Sequence, residues 1–69
     1  MNEYRIINDM KIKGKSLVVL DHKQSLEDMS KEKVVIGGST YKYLLMQGFG
    51  DSIVIETLEE LNGKTIHFE

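Results

Sequence analysis

The stretch Met10–Leu20, MKIKGKSLVVL, constrains the fold of this chain more than any other segment. Met10 and Ile12 alternate with lysines, and a glycine then separates them from the almost wholly apolar run Ser16–Leu20. Period-two alternation indicates a strand, and a glycine between two such runs predicts a hairpin turn, here at Gly14-Lys15. The second run does not alternate, which is typical of a strand that is buried on both faces or lies centrally in a closed sheet.

Further strands are predicted on both sides of this stretch. The first is Tyr4–Lys13, interrupted at Asn8-Asp9 by a bulge or a bend. The others are Val34–Ile36, Ser39–Gln47, Ser52–Thr57 and Lys64–Phe68. Glycine-containing turns separate them at Gly37-Gly38, Gly48–Asp51 and Asn62-Gly63. Ser39–Gln47 also fits a helix ended by Gly48, but its two tyrosines favour a strand.

The polar segment Asp21–Lys33 predicts a loop with at most one helical turn. Ser25 and Asp28 have the spacing of a capping box, and Leu26 and Met29 are expected to tuck this turn against the core. A second helical turn is predicted at Leu58–Leu61.

These elements predict a mainly β fold, a small partly open antiparallel barrel of five or six short strands with at most one or two helical turns. Residues 1–69 form a single domain, and Met1 together with the final strand predicts a whole gene product. A register slip of one residue would exchange the two faces of a strand. The expected core is Ile6, Met10, Ile12, Leu17, Val19, Val34, Ile36, Leu44, Val54, Ile66 and Phe68.

Composition limits how so short a chain is stabilised and where it works. There is no cysteine among the 69 residues, which excludes disulfides and thiolate metal sites and fits a cytoplasmic protein. Chains of this size bury only about 60% of their unfolded surface, so tight packing or self-association must stabilise the fold. Apolar runs such as Leu17–Leu20 are far shorter than the roughly 20 residues of a membrane span.

No residue constellation carries a catalytic signature. His22 and His67 have no second ligand at a metal spacing, and the serines lie outside any G-x-S-x-G sequence. Gly37-Gly38-Ser39 could form an anion-binding nest, but it lacks the lysine of a P-loop and is better explained as a turn. The acidic pairs lie in solvated stretches. The sequence therefore predicts a protein that is not an enzyme and uses no cofactor or metal.

Two kinds of binding role remain. The leading hypothesis is a non-catalytic binding or interaction module whose partner is another protein or a second copy of the chain. The alternative is a nucleic-acid-binding barrel, in which tyrosines stack on bases while lysines contact phosphates. Its surface would comprise Gly37, Gly38, Ser39, Tyr41, Lys42, Tyr43, Lys11, Lys13 and Lys15. A net charge of −2 disfavours it, and packing within the barrel is the simpler role for the tyrosines.

Met10–Asp21 and Val34–Gly38 resemble the β-barrel second domain of translation factor GTPases of the elongation factor Tu type. That family has an apolar strand, a strand pair like G-R-G-T-V-V-T-G, a polar stretch and a V-x-I-x-G strand. Ser16 and Asp21 replace glycines of this pattern, and Glu32-Lys33 replaces its Gly-Asp pair. The resemblance implies a small barrel that contributes contacts to partners. It implies no GTPase or ribosomal role, because this sequence contains no nucleotide-binding domain.

Overall fold

A computed structural model describes residues 3–45 and 50–69 of the chain. Within these ranges the elements are β1 (Tyr4–Ile12), β2 (Lys15–Leu20), α1 (Leu26–Met29), β3 (Lys33–Ile36), β4 (Ser39–Leu45), β5 (Ser52–Ile55) and β6 (Thr65–Phe68). The strand predicted at Ser39–Gln47 is confirmed through Leu45. The rest of that prediction, and the first half of the turn predicted at Gly48–Asp51, lie outside the described residues.

The described strands form a closed barrel in the order β1-β2-β5-β4-β3-β6, and every pair is antiparallel. The predicted mainly β barrel is confirmed, and it is closed rather than partly open. Because β1 and β4 each change partners along their length, the barrel flattens into two sheets. The front sheet consists of Asn8–Ile12, β2, β5 and Tyr43–Leu45. The back sheet contains β3 and β6 with the starts of β1 and β4, namely Tyr4-Arg5 and residues 39–42.

A β-bulge bends β1 where it passes between the two sheets. Ile6 pairs with Leu20 but Asn8 pairs with Val19, so one extra residue lies in β1. This residue reverses the inward and outward faces of the strand that follows. Of the bulge or bend predicted at Asn8-Asp9, the structure has a bulge, and it lies between Ile6 and Asn8. Because the faces are reversed beyond it, Met10 and Ile12, expected in the core, are 51% and 44% exposed.

The core lies between the two sheets. The expected members Ile6, Val34, Ile36, Ile66 and Phe68 are all buried. Four further expectations are wrong by one residue, because β2, β5 and β4 turn their other faces inward. Among the residues whose burial is described, the buried apolar ones are Tyr4, Ile6, Val18, Leu20, Val34, Ile36, Tyr43, Ile53, Ile55, Leu61, Ile66 and Phe68.

Short turns and one helical turn complete the described chain. Lys13-Gly14 closes the first hairpin, one residue before the predicted turn, with φ of 47° and 80°. Ser25 caps α1, its hydroxyl accepting the Asp28 N–H at 3.1 Å as the capping box predicts. Leu26 is 86% exposed rather than tucked in, because α1 turns Asp28 towards the barrel instead. The helical turn expected at Leu58–Leu61 does not form.

Candidate interaction surface

Four apolar side chains form one continuous row across the outside of the front sheet. Met10 pairs with Leu17, Leu17 with Val54, and Val54 with Leu44, so the row crosses four strands. Neighbours in such a row have Cβ atoms about 4.5–5.5 Å apart, which leaves little room for water between them. Met10 and Leu44 are more than half exposed, and Leu17 and Val54 are partly buried. We call Met10, Leu17, Val54 and Leu44 the apolar row.

Ile12 extends the apolar row along β1. Together with Lys13, Lys15, Leu17 and Val54 it lines a shallow depression of about 250 Å³. This volume lies below the range of about 300–1,000 Å³ that is usual for small-molecule pockets. The depression therefore suits the side chains of a protein surface better than a bound metabolite.

A second row, of charged side chains, runs along one edge of the apolar row. Lys15 pairs with Ile12 of β1. On its other side, Ser16 pairs with Ile55, so the next residue along, Glu56, lies beside Lys15. The Glu56 N–H donates to the carbonyl of Lys42, and Lys42 pairs with Lys33 on β3. We call Lys15, Glu56, Lys42 and Lys33 the charged row. An apolar centre with a charged rim is the usual composition of a protein-binding surface.

Lys11, predicted to share a surface with Lys13 and Lys15, lies on the other, inward face of β1, at an end of the barrel where its side chain is still 36% exposed. Its Nζ donates to Asp9 Oδ2 and to Ser16 Oγ, both at 2.8 Å, and also to the carbonyl of Glu59. Asp9 Oδ2 further accepts the Leu61 N–H at 2.9 Å. Burial by itself would raise the pKa of the Asp9 carboxyl, but these hydrogen bonds outweigh burial and hold the pKa below its usual range. This cluster ties the segment before β6 to one end of the barrel.

The two tyrosines of the predicted Tyr/Lys surface belong to the barrel wall. Tyr43 is 8% exposed, and its hydroxyl donates to the carbonyl of Lys31 at 2.8 Å. Burial raises the pKa of the Tyr43 phenol. Tyr41 packs against the core, and its hydroxyl donates to Glu59 Oε2 at 3.0 Å. Lys42, between them, points outward, so the two rings and this lysine do not lie on one face of the sheet.

Gly37-Gly38 forms the two-residue turn of the β3–β4 hairpin. Its φ values of 57° and 84° are those of a type I′ turn, and the exposed Ser39 then begins β4 opposite Ile36. The glycines thus have a backbone role, as the turn interpretation predicts. The predicted site residues therefore separate into this turn, the inward Lys11, the packed tyrosines and the outward Lys13, Lys15 and Lys42.

A further polar cluster lies beside α1. The Tyr4 hydroxyl donates to Asp28 Oδ2 at 2.6 Å and accepts the Ser25 N–H at 3.0 Å. Burial, followed by the bond to Asp28, raises the pKa of this phenol. His22 stacks on the Tyr4 ring at 4.3 Å between centroids, and its Nδ1 lies 2.6 Å from Asp21 Oδ1. These contacts fasten the long loop to the barrel.

The described residues contain no group of three or more histidine, aspartate or glutamate side chains arranged to hold a metal ion. None of their helices is long and apolar enough to cross a membrane.

Sequence reasoning missed the apolar row because it assigned all four residues to the core. One signal is present, since Ser16–Leu20 lacks polar alternation, which predicts a strand that is either buried on both faces or central in a closed sheet. The second alternative is confirmed, because β2 lies between β1 and β5 in the closed barrel. The barrel buries only the inner face of that strand. The apolar residues of its outer face remain partly exposed.

Comparisons of this chain with protein-family models, with curated proteins and with solved structures found no match.

Proposed function

We propose that this protein is a non-catalytic interaction module that binds a protein through the apolar row. The observation that carries the proposal is the exposure of a continuous apolar row on a barrel whose core is complete without it. Single exposed apolar residues are common on protein surfaces, but contiguous apolar patches mark interaction sites.

The energetics favour a partner that covers the row and its rim together. Burying an exposed large apolar side chain contributes about 1.5–3 kcal/mol, and roughly half of that is available at Met10, Ile12 and Leu44. Association itself costs at least about 4 kcal/mol. The apolar row is thus the centre of the contact, and the charged row beside it selects the partner.

Other parts of the proposal come from the sequence. A cytoplasmic location follows from the cysteine-free composition, and the resemblance to a barrel that contributes contacts agrees with a binding role. Nucleic-acid binding through the Tyr/Lys surface remains a prediction, and the packed tyrosine rings and the net charge of −2 weigh against it.

The test compares two double variants that make the same change of charge. Met10→Lys with Leu44→Lys disrupts the apolar row, whereas Leu26→Lys with Leu58→Lys replaces two exposed leucines elsewhere that are 86% and 64% exposed. Self-association is measured by light scattering. Binding to other proteins is measured by cross-linked capture from cell extract, with each captured protein identified and its binding repeated in purified form. Circular dichroism checks that each variant is folded.

We expect the row variant to lose its association and the control variant to keep it. Equal association by the two variants would contradict the proposal, as would a parent protein that neither self-associates nor binds an identified protein.

A further inference from the structure

We propose that the protein covering the apolar row is a second copy of this chain, related by a two-fold axis that runs along the strands between β2 and β5. This inference rests on the proposed function, and it names the partner. The two front sheets would pack face to face, with their strands in the same mean direction. Packed sheets commonly align their strands within about 30° of each other.

The apolar row complements itself under this symmetry. The axis exchanges β2 with β5 and β1 with β4, which flank it on either side. Met10 then lies over the partner's Leu44, and Leu17 over the partner's Val54. Each large side chain meets a large side chain of the other copy, as a self-complementary two-fold interface requires.

The charged row favours a second copy of this chain as the partner. Lys15 lies on β2 and Glu56 continues β5, at equal distances from the axis and on the same edge of the apolar row. The axis therefore sets Lys15 opposite the partner's Glu56, and Glu56 opposite the partner's Lys15. One chain carries both halves of two opposite-charge contacts, which favours the matched pair and disfavours other registers.

The competing axis, which runs across the strands, matches less well. It would lay the charged row over the opposite edge of the partner's front sheet, where Asn8, Val19 and Ser52 lie. Charges covered by uncharged side chains lose hydration without compensation. The axis along the strands also covers one charge with an uncharged side chain, since it places Lys42 over the partner's Ile12. It nevertheless pairs the charges of Lys15 and Glu56, which the axis across the strands leaves unmatched, and the pattern of charge therefore favours it.

The closed barrel also directs association to a face. Self-association of small β proteins often proceeds by pairing of free strand edges. The strands described here pair in a closed order, so they offer no free edge of this kind. An interface of standard size takes about 800 Å² from each partner. That is under a fifth of the 4498 Å² of accessible surface that the described chain presents.

The test uses two charge reversals, separately and mixed. Lys15→Glu leaves two acidic groups facing each other in its homodimer, and Glu56→Lys leaves two basic groups. In an equimolar mixture, the acidic side chain at position 15 of one variant faces the basic side chain at position 56 of the other. Light scattering over a concentration series measures the mass of the parent, each variant and the mixture. Glu3→Lys and Lys64→Glu, at exposed positions outside the front sheet, are the controls.

We expect a dimeric parent and controls, about tenfold weaker dimers of each single variant, and a mixture that recovers dimerisation. Recovery in the mixture would show that residues 15 and 56 meet between copies, because mixing does not restore opposite charges to these two positions within one copy. A mixture no more associated than its components would overturn the proposed axis, and a parent monomeric at all concentrations would overturn the dimer. A monomer that still binds another protein through the apolar row would leave the proposed function intact.

Discussion

The buried tyrosine Tyr43 fastens a loop to the barrel, because its hydroxyl group donates a hydrogen bond to the backbone of that loop. Its hydroxyl reaches the carbonyl of Lys31 and lies 3.2 Å from that of Asp28, so it anchors the end of α1 and the chain that follows. Tyr41 lies two residues earlier on the same strand, with its hydroxyl on an exposed carboxylate. The pair allows a matched comparison of a buried and an exposed hydrogen bond.

Removing the Tyr43 hydroxyl should cost more stability than removing that of Tyr41. We expect Tyr43→Phe to lower the free energy of unfolding by about 1–2 kcal/mol, because it removes the hydroxyl donor from the partly buried carbonyl of Lys31. Tyr41→Phe should lower it by less than about 0.5 kcal/mol. Urea titration of both variants measures the difference, and equal losses would contradict the assigned role of Tyr43.

Asp9 makes the free energy of unfolding of the barrel depend on pH in the acid range. Its pKa is lowered in the folded state, so the unfolded chain takes up a proton at a higher pH than the folded chain does. The stabilisation is therefore complete above the unfolded pKa, near 3.9, and is lost as the pH falls through the lower folded pKa. Acid should thus weaken the attachment of Leu61 and Lys11 to the barrel end.

Asp9→Asn should remove this dependence on pH. We expect the variant to be less stable than the parent by about 1.5–3 kcal/mol at pH 7, with a smaller deficit at pH 3, where protonation weakens the parent too. Glu3→Gln, at an exposed carboxylate, is the control. A deficit that is the same at both pH values would show that the charge of Asp9 has no part in its effect.

At the scale of elements, the hairpin turns set the register of the strands. Gly37 and Gly38 both have positive φ, and an added Cβ would meet no atom within 4 Å at either position. Any penalty there therefore comes from the backbone conformation and not from a clash. Asparagine tolerates the φ of 57° found at Gly37 better than alanine tolerates the φ of 84° at Gly38.

Two substitutions separate these effects. We expect Gly37→Asn to change the free energy of unfolding by less than about 0.5 kcal/mol, since Asn-Gly is a favoured type I′ pair. Gly38→Ala should cost about 1 kcal/mol or more. Thermal unfolding followed by circular dichroism measures both, and equal tolerance of the two substitutions would show that the turn relaxes easily.

The sequence predicted the elements better than their faces. Strand positions, the capped turn at Ser25 and the bulge near Asn8 follow from local patterns, and the structure contains all three. The sequence does not show which face of β2 and β5 points inward, because both faces of those strands carry apolar residues. The pattern at Asn8-Asp9 is compatible with a bulge or a bend, and only a bulge reverses the faces of the strand beyond it. The sequence therefore does not show that Met10 and Ile12 point outward.

The candidate surface was missed for the same reason. An exposed apolar residue and a core residue have the same letter in the sequence, and only the pairing of four strands shows that Met10, Leu17, Val54 and Leu44 form one row. The charged row likewise depends on pairing between residues far apart in the chain.

At the scale of the whole molecule, dimerisation would compensate for a small core. A ligand that binds only the folded state raises its stability, and a second copy does so by an amount that grows with the logarithm of protein concentration. We expect the midpoint of thermal unfolding to rise with concentration in the parent. The midpoint of the Met10→Lys, Leu44→Lys double variant should not change with concentration. A concentration-independent midpoint in the parent would indicate that the barrel is stable as a monomer.

The most direct test of the central claim is a methyl NMR spectrum recorded over a concentration series of the parent protein. It reports on Leu17, Val54 and Leu44 in the apolar row, with the exposed Leu26 and with Val35 of the back sheet as internal references. The account predicts that signals of the apolar row shift with concentration while the reference signals stay in place. Shifts confined to the references, or equal shifts everywhere, would contradict it.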